Sequence, residues 1–526
     1  MANITIDGKP FTVKDGSTII EAIDAVKSEL PRYCYHPGLS IAGNCRICQV
    51  EVEKIPGTVI ACNTRVAEGM VIHTESPKAK ESQKVVLEFL LANHPLDCPV
   101  CDQAGECKLQ DYYMEYGVYD SKFDEMKVKK TKKAVPIGPT IMLDQERCIL
   151  CSRCVRFGDE ITKTHDFGIF GRGDHAKIDI YPGKELNNNY SGNVADICPV
   201  GALTDRDFRF KMRVWYLGSQ DSICPGCSRG CNTEIHFERS RPYHLKEDRV
   251  MRLKPRENPE VNKWWMCDEG RYAYKSIDQD RIKDLKVNGI QPHDWNGALS
   301  KVATLLKQSS KWAAIFSPQY TNEELYLMRR LFRDHLKLAH LAFWAPGQEG
   351  AEDDFLLKKD KNPNTFGASK ILKMDTASGD STRIVERAKA GEFEGLFIFG
   401  HDLAKIFGKP TLKEVRQKVK TIIYEGPNQN PTAEIADLVL PAASYAEKDG
   451  TFTNFEGRVQ RIRRAFDPMG NSRPTWKTLW ELGSLLGMKV AYTRAEDVFK
   501  DLAKDESAFY DMTYKSLGFH GTVWKS

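Results

Sequence analysis

All fifteen cysteines of this 526-residue chain lie between positions 34 and 267, and the rest of the sequence has none. They fall into four groups: Cys34, Cys45, Cys48 and Cys62; Cys98, Cys101 and Cys107; Cys148, Cys151, Cys154 and Cys198; and Cys224, Cys227, Cys231 and Cys267. The group of three sits in NHPLDCPVCDQAGEC, residues 93–107, with His94 just upstream. Fifteen thiols and one imidazole make four complete sets of four donors, with no cysteine left over. In a reducing compartment, clustered thiols point to metal rather than to disulfides. The fold must therefore bring distant loops together at four places.

Spacing separates the kinds of metal site. CILCSRC is a C-x2-C-x2-C run of the bacterial-ferredoxin type, in which a further cysteine precedes proline; Cys198-Pro199 supplies it about forty residues on. Three closely spaced thiolates suit three corners of a cubane, an arrangement that zinc has little use for. The first group, C-x10-C-x2-C-x13-C, keeps the C-x2-C of plant-type ferredoxins but widens the first gap, and a zinc site is its alternative. For the last group, C-x2-C-x3-C-x35-C, spacing leaves zinc and a four-iron cluster open. The group of three needs a fourth donor, and His94 is nearest. Asp97, Asp102, Glu106 or an open iron position are the alternatives.

The opening ITIDGKPFTV reads as a hairpin around Asp-Gly. Thr18 and Glu21 have capping-box spacing, with Ile20, Ile23 and Val26 on one helical face. CQVEVEK and GMVIHT alternate as strands do. Ser76-Pro77 starts a helix that ends near Pro95 and presents His94 at its exit. Residues 120–140 read as a linker, and the basic run KVKKTKK (residues 127–133) as solvated. Beyond residue 271, the apolar runs WAAIFSP, GLFIFG and TIIYEG alternate with helix-like stretches such as TNEELYLMRRLFRDHL and TLKEVRQKVK, which suggests a parallel α/β sheet. The tail after residue 500 carries little pattern.

A net charge of only +4 argues against a dedicated nucleic-acid binder. The amino terminus lacks the basic-then-apolar pattern of an export signal, and no window has the length of apolar sequence that a membrane span needs. No G-x-G-x-x-G is present, and GIFGRGDH has the wrong spacing, so a dinucleotide would sit on another subunit.

CYHPGLSIAGNCRICQVEVEK, LEFLLANHPLDCPVCDQAGECKLQD and YSGNVADICPVGALT closely resemble the large iron-sulfur subunit of respiratory complex I, NADH:quinone oxidoreductase. The resemblance implies an α+β and α/β multidomain chain. A ferredoxin-like β-grasp [2Fe-2S] domain would occupy residues 1–78. A [4Fe-4S] segment with one histidine and three cysteine ligands would follow at 79–120, and a ferredoxin-like [4Fe-4S] domain at 140–215. A fourth [4Fe-4S] domain of the molybdenum-enzyme type would occupy 216–272, then a shortened molybdopterin-oxidoreductase-like scaffold 273–526. The resemblance implies a [2Fe-2S] cluster on Cys34, Cys45, Cys48 and Cys62. It implies [4Fe-4S] clusters on His94, Cys98, Cys101 and Cys107; on Cys148, Cys151, Cys154 and Cys198; and, off the main path, on Cys224, Cys227, Cys231 and Cys267.

The looser resemblance of residues 436–460, ADLVLPAASYAEKDGTFTNFEGRVQ, to molybdopterin oxidoreductases carries no expectation of molybdopterin. The domain is short, and no cysteine follows Cys267. Its Glu447, Asn454, Glu456 and Arg458 are expected to serve packing. The implied function is single-electron relay from a flavoprotein partner that binds NADH and FMN, through the clusters, to downstream iron-sulfur subunits and quinone. No residue acts as acid, base or nucleophile. The implied place is cytoplasmic, peripheral on the inner face of the cell membrane within the hydrophilic arm. The rival readings are a catalytic subunit of an NAD-linked formate dehydrogenase and a redox-inert zinc scaffold.

Overall fold

The computed structural model describes residues 1–117, 119–239, 248–287, 294–347 and 349–524. The chain divides into two compact units, Met1–Leu217 and Gly218–Ser526.

In the first unit, β1 (Ala2–Ile6) and β2 (Lys9–Val13) form the expected hairpin. Its turn puts Asp7 and Gly8 at φ 46° and 78°, the conformation that favours Asp-Gly in two-residue hairpins. Helix α1 (Ile19–Ala25) starts at a complete capping box between Thr18 and Glu21. Strands β3 (Gln49–Val52), β4 (Val59–Ile60) and β5 (Val71–His73) complete a sheet of order β2-β1-β5-β3-β4, in which only the β1–β5 pair is parallel. Ile19, Ile20 and Ile23 of α1 are fully buried against Ile4, Val50 and Ile72 of the sheet. This is a β-grasp.

Ser76 caps α2 (Pro77–Ala92), with proline in the first turn, and α3 (Lys108–Tyr116) follows. Then come β6 (Val135–Pro136), β7 (Ile141–Leu143), α4 (Arg153–Arg156), β8 (Phe167–Phe170), β9 (Lys177–Ile180), α5 (Asn193–Ile197) and β10 (Leu203–Asp205). The expected solvated linker is not what the structure shows. Lys127 Nζ donates to the carbonyls of Leu91 and Ala92 at 2.8 and 2.9 Å, closing the carboxyl end of α2. Lys132 pairs with Asp179 at 2.8 Å, and Lys133 with Asp97 and Glu146. The run is basic because it straps α2 to β9 and to the loop after β7, a partnership invisible in local composition.

The second unit opens with β11 (Leu217–Ile223), β12 (Asn232–Glu238) and β13 (Val250–Pro255), a three-stranded sheet, and α6 (Asp268–Tyr272). Next come β14 (Lys286–Val287), α7 (Trp295–Gln308), β15 (Trp312–Ile315), α8 (Asn322–Met328), β16 (His340–Ala342), α9 (Thr365–Leu372), α10 (Thr382–Lys389), β17 (Gly395–Phe399), α11 (Leu403–Phe407), α12 (Lys409–Lys418), β18 (Thr421–Gly426), α13 (Pro431–Ile435) and β19 (Leu438–Pro441). The sheet order is β14-β19-β18-β17-β15-β16, parallel except for β14. Phe397 and Phe399 face the core built on α7 and α8, whereas Leu396 and Ile398 face the one built on α10 and α12. Burial on both faces is why these strands read as unbroken apolar runs. The hairpin β20 (Gly450–Thr453) and β21 (Arg458–Ile462), then α14 (Thr475–Leu486), α15 (Ala495–Asp505) and β22 (Thr522–Val523), end the unit. The weakly patterned tail is ordered: β22 pairs with β21, and Phe509 and Tyr514 are buried.

Two carboxyls lie deep in this unit. Glu425 accepts from Tyr320 Oη at 2.6 Å and from Thr475 Oγ1 at 2.5 Å; Glu323 accepts from Thr451 N at 2.9 Å and from Tyr514 Oη at 2.9 Å. Burial pushes both up, from 4.5 to about 7. Each carboxyl binds its proton more tightly folded than unfolded. Their contribution is therefore complete below about pH 4.5 and is lost as pH rises through 7. Glu425→Gln, which cannot ionise, should gain on wild type between pH 5.5 and 8.5, by on the order of 2 kcal/mol at the upper end. Thermal unfolding of the two chains at both pH values checks this; parallel pH dependence would refute it.

Candidate metal centres

The first donor set is built by the loop between α1 and β3 and by the turn after β4. Ala61 N donates to Cys48 O at 2.8 Å and Ile20 N to Ala61 O at 3.1 Å, so the sheet and the helix both fix the position of Cys62. Cys34, Cys48 and Cys62 are almost wholly buried. The four thiols lie close enough to act on one another electrostatically, Cys34 with Cys45 and Cys62, and Cys62 with Cys48. The sulfur of Cys34 accepts from Cys45 and Cys62, which holds it far below the ordinary thiol range. The backbone N–H of Cys34 in turn donates to Cys45 Sγ at 3.4 Å.

The third set centres on CILCSRC. Leu150 and Ser152, at φ 55° and 60°, coil the backbone so that closely spaced thiols turn inward. Cys148, Cys151, Cys154 and Cys198 line one small cavity with Leu143, Ile178, Val200 and Leu203. Burial pushes every one of these thiols up, that of Cys151 to about 11. Such thiols stay protonated until a cationic metal group compensates the charge of the thiolate.

In the second set, α2 ends as expected, with His94 N donating to Leu91 O at 3.2 Å. His94, Cys98 and Cys107 line a cavity of about 370 Å³, and buried Cys101 lies within electrostatic range of both cysteines. Burial, Lys127 and Arg147 hold the imidazole down to about 4, so at neutral pH it is uncharged and keeps a lone pair for a metal. Asp97 is committed elsewhere, to Lys133 at 2.7 Å and Arg147 at 3.0 Å, and Asp102 accepts from Phe210 N at 2.8 Å. Asp97 and Asp102, two of the alternatives named from sequence, have these partners, whereas His94 lines the cavity with Cys98 and Cys107.

The three sets of the first unit are linked. Tyr33, Cys34, Cys151, Cys107, Cys148 and Cys198 belong to one apolar cluster. Asn44 Nδ2 donates to Leu150 O at 3.1 Å, joining the first loop to the third. The thiol of Cys107 faces Pro199 O at 3.9 Å, one residue past Cys198. A Cβ at Gly201 would overlap Cys101 Sγ, so glycine is what allows the second and third sets to close on each other.

The fourth set lies in the second unit. Cys224, Cys227, Cys231 and Cys267 line a small cavity with Met266, Gly270, Leu356 and Leu357. Gly226 N and Gly270 N approach Cys224 and Cys267 Sγ at 3.5 and 3.3 Å. The loop is tied to the β20–β21 hairpin: Phe455 N donates to Ser228 O at 3.0 Å, Asn454 Nδ2 to Arg229 O at 3.3 Å and Gln460 Nε2 to Gly230 O at 2.8 Å. Nearby, Glu447 bonds Arg281 and Arg249, each at 2.7 Å. Asn454 also accepts from Arg458 N at 2.9 Å, Arg458 pairs with Glu260, and Glu456 lies 3.9 Å from Arg229. These four motif residues are thus engaged inside the unit.

Every cysteine is free of disulfides, and among the described residues no three His, Cys, Asp or Glu side chains gather tightly enough for one ion. Four soft thiol-rich sets, walled by apolar side chains, fit iron-sulfur clusters by the chemistry of their donors.

Known protein families match four stretches of the chain. Residues 1–77 match a 2Fe-2S iron-sulfur cluster binding domain, 83–122 the NADH-ubiquinone oxidoreductase-G iron-sulfur binding region, and 138–204 the ferredoxin-like domain of NADH-quinone oxidoreductase subunit 3. Residues 357–485 match molybdopterin oxidoreductase. The mitochondrial NADH-ubiquinone oxidoreductase 78 kDa subunit of Neurospora crassa is 32% identical, over 93% of this chain and 81% of that protein. The chain belongs to the family of the large iron-sulfur subunit of NADH-quinone oxidoreductase. The NADH-ubiquinone oxidoreductase 75 kDa subunit of Reclinomonas americana is 30% identical over 95% of this chain and 90% of its own length. The alignment with the N. crassa subunit runs to 614 positions, longer than this entire 526-residue chain, so that relative carries segments this one lacks.

The cysteine count located the four sets. It missed Arg147, Lys127, Lys133 and Gly201, whose only sequence signal is a basic run and a small residue in CPVGAL. For His94, His94→Ala should weaken or open the second site, whereas His94→Cys should still hold a cluster. The anionic thiolate disfavours the reduced state, so the potential of that cluster should fall, each tenfold shift in equilibrium being about 59 mV. EPR-monitored redox titration reads this out. An unchanged spectrum and potential in His94→Ala would place the fourth ligand elsewhere.

Proposed function

We propose that this chain relays single electrons within an NADH:quinone oxidoreductase, from a flavoprotein partner that binds NADH and FMN toward downstream iron-sulfur subunits and quinone. As a member of its family it is an electron-transfer subunit of that oxidoreductase. The clusters, one [2Fe-2S] and three [4Fe-4S], supply one-electron chemistry, while the chain supplies spacing, insulation and tuning. Cys34, Cys45, Cys48 and Cys62 hold the first. His94, Cys98, Cys101 and Cys107 hold the second, and Cys148, Cys151, Cys154 and Cys198 the third. Cys224, Cys227, Cys231 and Cys267 hold the fourth, which serves as a staple off the path.

The observation that carries this reading is the shared apolar cluster of the first three sets, with the Cys148 set touching both neighbours. That contact supports relay among the three sets, and the proposed order, entry at the first, passage through the third and exit at the second, is the one the family resemblance implies. The second set has the exposed thiol, Cys98, and exposed Leu96, Val100, Met114 and Tyr119 nearby, a surface suited to a partner subunit. No helix of the described residues is long and apolar enough to cross a membrane. The arm's membrane link is proposed to come through its partners, placing this chain peripherally on the inner, cytoplasmic face. The scaffold domain is proposed to bind no molybdopterin, since Glu447, Asn454 and Arg458 spend their polar groups on packing.

The test is interruption. In assembled complex reduced by NADH, Cys151→Ser should leave the first cluster reducible and the second oxidised, with quinone-reductase turnover down more than about tenfold, some 1.4 kcal/mol in barrier terms. Cys227→Ala should leave reduction of the other three clusters intact in whatever complex assembles. Normal reduction of the second cluster in Cys151→Ser would overturn the route.

A further inference from the structure

Arg153 opens α4 between Cys151 and Cys154, and its guanidinium spans two donor sets. Nη1 donates to Ile197 O at 2.9 Å, one residue before Cys198 of the third set. Nη2 donates to Tyr35 O at 2.5 Å, one residue after Cys34 of the first set. The guanidinium is close enough to Cys151, Cys198 and Cys34 for each thiol to act on it electrostatically. Its side chain also forms part of the wall of the third set's cavity.

Several arginine Nε atoms are buried without a hydrogen-bond partner among the described residues, and the one in the wall of the third set's cavity is that of Arg153. A buried N–H on a charged group is rarely left without an acceptor, because desolvation then goes uncompensated. The two Nη atoms already clamp the loops. Arg156, one turn on, adds to that clamp, with Nη2 donating to Cys34 O at 2.5 Å and Cys151 O at 3.4 Å. Structural duty is thus covered without Arg153 Nε, and in the wall of a thiol-ringed cavity the acceptor of matching chemistry is sulfur.

We propose that Arg153 is a positioning residue that tunes the third cluster: its Nε–H donates to a sulfur of the cluster, and its fixed positive charge stabilises the added electron. Hydrogen bonds to sulfur and nearby charge are established determinants of cluster potential. The guanidinium stays protonated throughout, so no proton moves with the electron. The same charge faces Cys34, which leaves the loop between the first and third sets favourable for negative charge arriving from either side. The inference rests on the reading that the third set holds a [4Fe-4S] cluster.

The experiment uses the full cluster-loaded chain, purified without oxygen. In wild type carrying arginine labelled with ¹⁵N at Nε alone, so that the Arg153 backbone amide beside Cys151 is silent, pulsed EPR of the reduced third cluster should show a ¹⁵N coupling, lost in Arg153→Lys and kept in Arg156→Lys. In redox titrations, Arg153→Gln should shift the reduced-to-oxidised ratio of that cluster about tenfold toward oxidised at fixed potential. Arg153→Lys, which keeps the charge but not the Nε donor, should fall between. A wild-type third cluster without ¹⁵N coupling overturns the proposal whether or not the variants assemble, as does wild-type potential in a loaded Arg153→Gln. Absence of any four-iron signal at the third set in wild type would instead overturn the underlying reading of the site.

Discussion

A thiol buried among apolar side chains resists losing its proton, and a thiolate there is tolerable only beside positive charge. That constraint governs this molecule. The third set is walled by Leu143, Ile178, Val200 and Leu203, and burial raises every thiol in it. An iron-sulfur group in such a place stabilises the local fold as much as the fold holds the group, because the ligand loops have little regular structure of their own. The backbone answers the same need: Leu150 N and Gly226 N approach Cys148 and Cys224 Sγ at 3.4 and 3.5 Å. These donors favour the thiolate form once a metal group is in place.

The arrangement of the sets follows from packing. In the first unit, three sets share an apolar cluster made from the Tyr33–Cys34 loop, the buried face of α2 and α3, and the CPVGA turn. A glycine at 201 brings two of them close, and two arginines of α4 clasp the third to the first. In the second unit, the Cys224 set is instead woven into the β20–β21 hairpin and the Leu356–Leu357 segment. The first pattern suits the proposed relay and the second the proposed staple, and that difference lies in what each set touches.

Much of this was legible in the sequence because it is local. The Asp-Gly hairpin, the Thr18–Glu21 box, Ser76-Pro77 and the unbroken apolar strands each declare themselves within a few residues, and each stands where expected. Counting donors to sixteen singled out His94. What stayed hidden depends on partners far along the chain. Nothing around residues 127–133 announces that Lys127 closes α2 or that Lys133 reaches Asp97. Gly201 reads as a spacer until Cys101 is placed against it, and Arg153 as an ordinary residue between ligands. The ordering of the tail depends on β21, some sixty residues earlier.

In the proposed assignment, sixteen donors hold four iron-sulfur clusters and nothing else. Iron, acid-labile sulfide, zinc and molybdenum analysis of the full chain, purified without oxygen, tests it most directly. One two-iron and three four-iron clusters require about fourteen irons with about as many sulfides per chain, without zinc or molybdenum. Zinc without sulfide, or stoichiometric molybdenum with a pterin, would contradict the account.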